Sequence, residues 1–158
     1  MPHINELYDF TVSAYIMHPT EPKLCLHYHK KLRKWLQPGG HIELNEDPLQ
    51  ALEHELLEET GLTIKQYNII EPTDQPRPRN TKKIPLPINI NVHSNDSMHS
   101  HIDYVFLVKS STVKLLPQQG ESPIIEWLTI DEIYKKHKSG DVFDGTLDIC
   151  QWIFDKYM

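Results

Sequence analysis

Residues 9–18 alternate, with Phe10, Val12, Ala14 and Ile16 on one side, the period-two pattern of a half-buried strand. Pro19-Thr20-Glu21-Pro22 reads as a turn. Lys23 to His29 then pairs back as a hairpin, Leu24, Leu26 and Tyr28 alternating and His27 and His29 on the face opposite Leu24. Lys30 to Lys34 reads as a basic loop, and Gly40 to Glu43 as a short strand or turn. The period then changes. Leu49, Leu52 and Leu56 stand at i, i+3 and i+7, one apolar stripe of a helix from Pro48 to Thr60. Asp47 suits its N-cap, Pro48 its first turn, and Gly61 the left-handed residue that closes it.

Thr63 to Ile70 reads as a strand. Pro72 to Pro87 carries five prolines, which remove donors and block helix, so this stretch projects from the sheet or lies along its edge. Ile88–His93 and Ile102–Lys109 are two further strands, with a turn expected at Asn95-Asp96-Ser97, and Ile124–Leu128 is the last. Thr129 with Glu132 three residues on has capping-box spacing and opens a helix to about His137. Ser139-Gly140-Asp141 breaks it. A final amphipathic helix runs from about Thr146 to Lys156, with Leu147, Ile149, Cys150, Ile153 and Phe154 apolar. The order βββ-α-β…βββ-α-α predicts an α/β fold, a mixed sheet with helices on both faces. No repeat, low-complexity tract or boundary interrupts it, so residues 1–158 read as a single domain.

Composition narrows the function. The chain has 158 residues, 39% hydrophobic and 24% charged, and a net charge of −6. With a net negative charge, short basic runs such as Lys30-Lys31-Arg33-Lys34 and Lys82-Lys83 do not make a dedicated basic footprint, which argues against a nucleic-acid partner. No apolar run approaches the ~20 residues of a membrane span, and the N-terminus lacks the pattern of an export signal. Cys25 and Cys150 lie in apolar-patterned segments, so free buried thiols and a reducing, cytoplasmic compartment are expected.

The chemistry concentrates on the helix at 48–60. Glu55, Glu58 and Glu59 at i, i+3 and i+4 share one stripe and repel by a few tenths of a kcal/mol per pair on an exposed helix. No Lys or Arg lies between Lys34 and Lys65 to relieve them. An oxygen-liking divalent cation would, although the same spacing alone more often describes a solvated acidic face. The wider spacing points to the cation. Gly40, Glu46, Glu55, Leu56, Glu58, Glu59, Gly61 and Leu62 match Gly-x5-Glu-x7-Arg-Glu-U-x-Glu-Glu-x-Gly-U, with U bulky and aliphatic, and Trp35-Leu36-Gln37-Pro38-Gly39 resembles its usual lead-in. The chain thus resembles the Nudix hydrolase family, with one departure: His54 stands where the family carries Arg.

This resemblance implies the Nudix fold, an α/β/α sandwich with a mixed sheet. It also implies hydrolysis of a phosphoric anhydride in a nucleoside diphosphate-linked, nucleotide-type small molecule, by water attack on phosphorus with Mg2+ or Mn2+. Glu58 and Glu59 would be metal ligands, Glu55 a ligand or the base, and Glu46 a brace for the loop. Backbone at Gly39, Gly40 and His41 would sit at the metal. Glu121, in GESPIIEW, stands where a loop glutamate often completes such sites, although an exposed loop residue reads equally well; Glu126 reads as solvent-facing. His54 would replace a permanent cation by a conditional one, so reduced or pH-sensitive activity is expected. His41, His93 and the run His99-x-His101-x-Asp103 are similar to a little-characterised bacterial branch of the family. Alternate spacing puts His99, His101 and Asp103 on one face, where they would reach substrate phosphate, bind a transition metal, or be ordinary polar residues around a turn. Arg77, Arg79, Lys82 and Lys83 would contact phosphates or simply keep their loop soluble. A homodimer is a family habit. Two other readings stay open: a non-catalytic nucleotide-binding module, and isomerase chemistry on a diphosphate ester. The last needs a cysteine at the site, whereas Cys25 and Cys150 read as core.

Overall fold

The computed structural model describes residues 7–94 and 99–158; the turn expected at Asn95-Asp96-Ser97 lies outside them. In chain order the elements are β1 (Tyr8–Met17), β2 (Leu24–His29), β3 (Lys34–Leu36), β4 (Gly39–His41), α1 (Pro48–Thr60), β5 (Tyr67–Ile70), β6 (Asn89–His93), β7 (Ser100–Ser110), β8 (Ile125–Leu128), α2 (Ile130–Lys138) and α3 (Asp144–Tyr157). They form one mixed sheet along the path β3-β2-β1-β7-β5, with β4 also on β1, β6 on β7 and β8 on β2. Among the described residues only β1 and β7 run parallel, paired along their length from Tyr8↔Ser100 to Met17↔Lys109, and the other pairings are antiparallel.

Helices cover both faces. Ala51, Leu52 and Leu56 of α1 pack with Val12, Ala14, Ile16, Phe106 and Val108. On the other face Ile133 of α2 and Leu147, Cys150 and Ile153 of α3 pack with Tyr15, Leu24, Leu26, Val105 and Leu107. This is the expected α/β/α sandwich. Each face of β1 therefore meets a helix layer, and the strand is buried on both sides from Thr11 to Met17 instead of on one. At its start the expectation inverts: Phe10 is 47% exposed, stacked on Tyr104 with ring centroids 6.4 Å apart, while Asp9 is 1% exposed.

The caps follow the local chemistry. The Asp47 carboxylate accepts from the N–H groups of Leu49 and Gln50 at 2.9 and 3.0 Å, and Gln50 accepts back from Asp47 N–H at 2.9 Å. Gly61 closes α1 at φ 76°. Thr129 and Glu132 form the expected box at α2. Two local readings change. Lys34–Leu36, expected as the end of a loop, is a short strand on β2, and Trp35 N–H also donates to Asp141 O at 2.8 Å. Residues 64–66 form a 3₁₀ turn before β5, tied by Thr63 N–H to Gln66 Oε1 at 3.0 Å. Both cysteines are free and buried. Among the described residues no helix is long and apolar enough to cross a membrane.

Candidate active site

β4 joins the antiparallel edge of β1 with Val12↔Gly40 and Ser13↔Gly39, and α1 packs across it. A Cβ on Gly39 would lie 2.2 Å from Val12 O, and one on Gly40 would lie 2.2 Å from Glu55 Oε1. Gly39 is needed because main chain there approaches main chain, whereas the space beside Gly40 is filled by the movable end of Glu55. Gly39 N–H donates to Glu59 Oε2 at 2.7 Å, so β4 holds the helix carboxylates directly.

Those carboxylates are crowded and poorly hydrated. Burial pushes the Glu59 carboxyl up to about 8; the Gly39 N–H pulls the other way, and the charges of Glu55, Glu121 and Glu58 add to the rise. Burial likewise raises Glu55 to about 7, opposed by His54 and helped by Glu58, Glu121 and Glu46. His54 is the cation among them. Its Nδ1 lies 3.0 Å from Glu46 Oε1 and its Nε2 2.9 Å from Glu58 Oε1. Burial works against its charge, but the Glu58 hydrogen bond and the charges of Glu58, Glu46 and Glu55 outweigh it and raise its pKa. The imidazole thus bridges two carboxylates with its two nitrogens. Glu46 also braces its own loop, its Oε2 accepting from Glu43 N–H at 3.2 Å.

Glu121 reaches this group through the backbone of its loop. Leu116 N–H donates to Thr60 O at 2.8 Å and Gln118 N–H to Glu58 O at 2.8 Å, fastening residues 116–118 to the end of α1. Leu116 O also occupies the space beside Gly61, 2.5 Å from where a Cβ would stand. The Ser122 hydroxyl then donates to Tyr28 O at 2.7 Å. Held at both ends, the loop brings Glu121 close enough for its charge to raise both Glu55 and Glu59. A set of carboxylates that raise one another's pKa, with His54 in contact with two of them, offers the hard oxygen donors a divalent ion accepts, and such an ion would replace mutual repulsion by attraction.

On the other face of β1 lies a cavity of about 540 Å³, lined among others by Tyr15, Gln37, Asn91, His93, Asp103 and Thr146. Its size suits a small organic ligand. Asp103 accepts from the Thr11 hydroxyl at Oδ1 and the Ser13 hydroxyl at Oδ2, both at 2.8 Å. Gln37 donates to Ser13 Oγ at 3.3 Å and lies within 3.2 Å of the Tyr15 hydroxyl. His93 is exposed, its Nδ1 2.9 Å from Asn91 Oδ1. Of the expected substrate contacts, His93 and Asp103 line this cavity; the His101 ring stands 5.4 Å from that of His93 and 5.2 Å from that of His41, and neither His101 nor His41 belongs to the lining. Those two are drawn toward the neutral form, burial being the largest cause for each. Arg77 and Arg79 are exposed on the proline-rich segment. That segment spends its lysines on ion pairs, Lys82 to Asp47 at 2.7 Å and Lys83 to Glu71 at 3.1 Å.

Asp9 is the residue sequence reading passed over. It lies with His41, His99 and His101 in one group of ligand-type atoms, each within 4.8 Å of the others. Its signal in the sequence was faint, because the alternation that turns Phe10 inward turns Asp9 outward, and only the register Asp9↔His101 places it.

The family model of the NUDIX domain matches residues 8–146. Among curated proteins the chain is 31% identical over 101 residues to the "Probable DHNTP pyrophosphohydrolase" of Lactococcus lactis subsp. cremoris, a match covering 64% of this chain and 55% of that protein. The chain therefore spans about half the length of that relative. Among solved structures it is similar to a NUDIX-family hydrolase from Clostridium perfringens, with TM-score 0.77 and 31% identity over 93% of this chain and 96% of that one. It also shares the fold of the Escherichia coli dihydroneopterin triphosphate pyrophosphohydrolase, with TM-score 0.68 and 10% identity over 95% and 99% of the two chains.

Proposed function

This chain belongs to the NUDIX domain family, and we propose that it is a metal-dependent pyrophosphohydrolase that cleaves a phosphoric anhydride in a nucleotide-type small molecule. The observation that carries this reading is the pair of carboxylates on buried Glu59 and half-buried Glu55, pressed against the glycine strand with pKa values raised to about 8 and 7. Folding tolerates such a group at an ordinary surface only at a cost, and a bound cation removes it.

Glu58 and Glu59 would hold the ion, with Glu55 as a further ligand or as the base, and Gly40 lends its main chain to the same place. Mg2+ or Mn2+, when bound, would neutralise charge on the phosphate oxygens. The chain's own groups do the rest. Glu55, poised near 7, accepts a proton from the attacking water as its oxygen bonds to phosphorus; the bridging P–O bond breaks and two phosphate products leave. Glu121 serves the same water or the ion from the opposite loop. His54 keeps Glu46 and Glu58 aligned, a task in which one imidazole stands in for a guanidinium fork.

The cavity beside β1 takes the organic part of the substrate, with Asn91, His93 and Asp103 supplying hydrogen bonds. His41, His101 and Arg77 would add contacts to the substrate's phosphates. A pterin or nucleobase fits such a lining, and the Lactococcus relative's name makes dihydroneopterin triphosphate a member of the first panel to test. The acidic balance of the chain favours a small molecule over nucleic acid, and two buried free thiols fit a reducing cytoplasm.

The test is a panel of nucleoside triphosphates, nucleoside diphosphate-linked compounds and dihydroneopterin triphosphate, each with Mg2+ or Mn2+, read by product chromatography. Turnover in the native chain and its loss in a folded Glu58→Gln variant support the proposal. Binding of a nucleotide without turnover on every member would transfer the chain to the non-catalytic reading.

A further inference from the structure

Away from the glutamates, four side chains converge where β1, β4 and β7 meet. Asp9 opens β1 and is paired in register with His101 on β7; His99 stands just before β7, and His41 ends β4, opposite Thr11. One ligand-type atom from each lies within 4.8 Å of every other. Asp9 Oδ2 is 3.3 Å from His99 Nε2 and 3.5 Å from His41 Nε2. The His101 ring stands edge-on to both other imidazoles, with centroids 5.2 Å from His41 and 5.0 Å from His99. His101 is 8% exposed, and its Nε2, like that of His41, meets no hydrogen-bond partner among the described residues.

We propose that Asp9, His41, His99 and His101 form a second metal site, selective for a Zn2+-class transition ion and distinct from the glutamate site. Three imidazoles and one carboxylate are donors such an ion accepts, whereas Mg2+ prefers oxygen throughout. In a tetrahedral site with bonds of about 2.0–2.2 Å, neighbouring donor atoms stand about 3.3–3.6 Å apart. The two contacts of Asp9 already have that spacing, and the remaining pairs reach it by small side-chain rotations. A buried ring nitrogen without a partner is costly, and ligation would satisfy it. The ion would tie the first residues of β1 and β7 to the end of β4, one residue beyond the glycine that Glu55 leans on.

The experiment uses the full chain stripped with a chelator, titrated with Zn2+ by calorimetry and with Co2+ by visible absorption. One equivalent of Zn2+ should bind both the native chain and Glu58→Gln, and Co2+ should give the visible band of a four-coordinate nitrogen–oxygen site. Affinity should fall by at least about tenfold in His101→Ala and in His99→Asn. It should be unchanged in His93→Ala, whose ring lies 5.4 Å from that of His101 but sits outside the group. Circular dichroism checks each variant, and His99→Asn, at a half-buried position, decides the matter if His101→Ala fails to fold. Tight binding that survives in both folded histidine variants, or that disappears in Glu58→Gln, or that is absent from the native chain, overturns the proposal.

Discussion

Glu59 makes the sharpest quantitative prediction, because it is 8% exposed and carries the largest rise among the site carboxylates. In the unfolded chain it titrates at its ordinary 4.5; folded, it keeps its proton to about 8. Between these values the folded state binds more protons than the unfolded one, so stability is full at low pH and falls as pH rises toward 8. Below 6.5 the signal is mixed with His27, His41 and His101, all lowered mainly by burial, which make the fold more stable as pH rises. From pH 6.5 to 8, Glu59 should by itself remove about 2 kcal/mol in metal-free protein, at about 1.4 kcal/mol per pH unit, while Glu55, raised to about 7, and His54, also raised, add smaller falls in the same direction that both proteins share. For a chain of this size that is a fall of roughly 4–8 °C in Tm. The assay is thermal unfolding in chelator at several pH values, native chain against Glu59→Gln, in which the amide oxygen can still accept from Gly39 N–H. The native curve should descend through this window, the variant curve should descend much less, and Mg2+ should lift only the native one. Parallel curves for the two proteins would refute the account of a buried, proton-holding carboxylate.

The two glycines should separate fold from function. Gly39→Ala drives a Cβ into Val12 O and should lower Tm by several degrees, whereas Gly40→Ala meets only the movable end of Glu55. It should therefore leave Tm nearly intact while cutting turnover by about 10–100-fold, read by melting and by product release. His54→Arg should hold turnover on the alkaline side, where that of the native chain should decline as the imidazole loses the proton its carboxylates favour. With both contacts partly solvated, the gain at pH 9 should be about fivefold or less, the equivalent of about 1 kcal/mol, and a sharp loss there would show that the site needs an imidazole. Asp47→Ala removes two accepted hydrogen bonds at the start of α1 and should cost about 1 kcal/mol, measured by denaturant midpoint.

What the sequence determined by itself is everything encoded in short spacings. Helix α1 with both caps, the stripe of Glu55, Glu58 and Glu59, the box at Thr129 and the mixed α/β class were all readable, because residues three or four apart on a helix, or two apart on a strand, share a face whatever surrounds them. The glycines beside that stripe were readable as a motif, but their physical reason, Val12 O at one and Glu55 at the other, was not. Tertiary structure alone decided what met across longer distances. Glu121 became part of the glutamate group only because its loop is fastened to the end of α1 by Leu116 and Gln118. Phe10 turned outward and Asp9 inward at the start of a strand whose alternation suggested the reverse, since at that end the inner face is built from histidines and hydroxyls instead of aliphatic side chains. The register Asp9↔His101 is a property of two strands ninety-two residues apart in the chain, and no local period carries it. Spacing along the chain chooses which face a side chain takes, and the pairing of strands and the anchoring of loops choose its company.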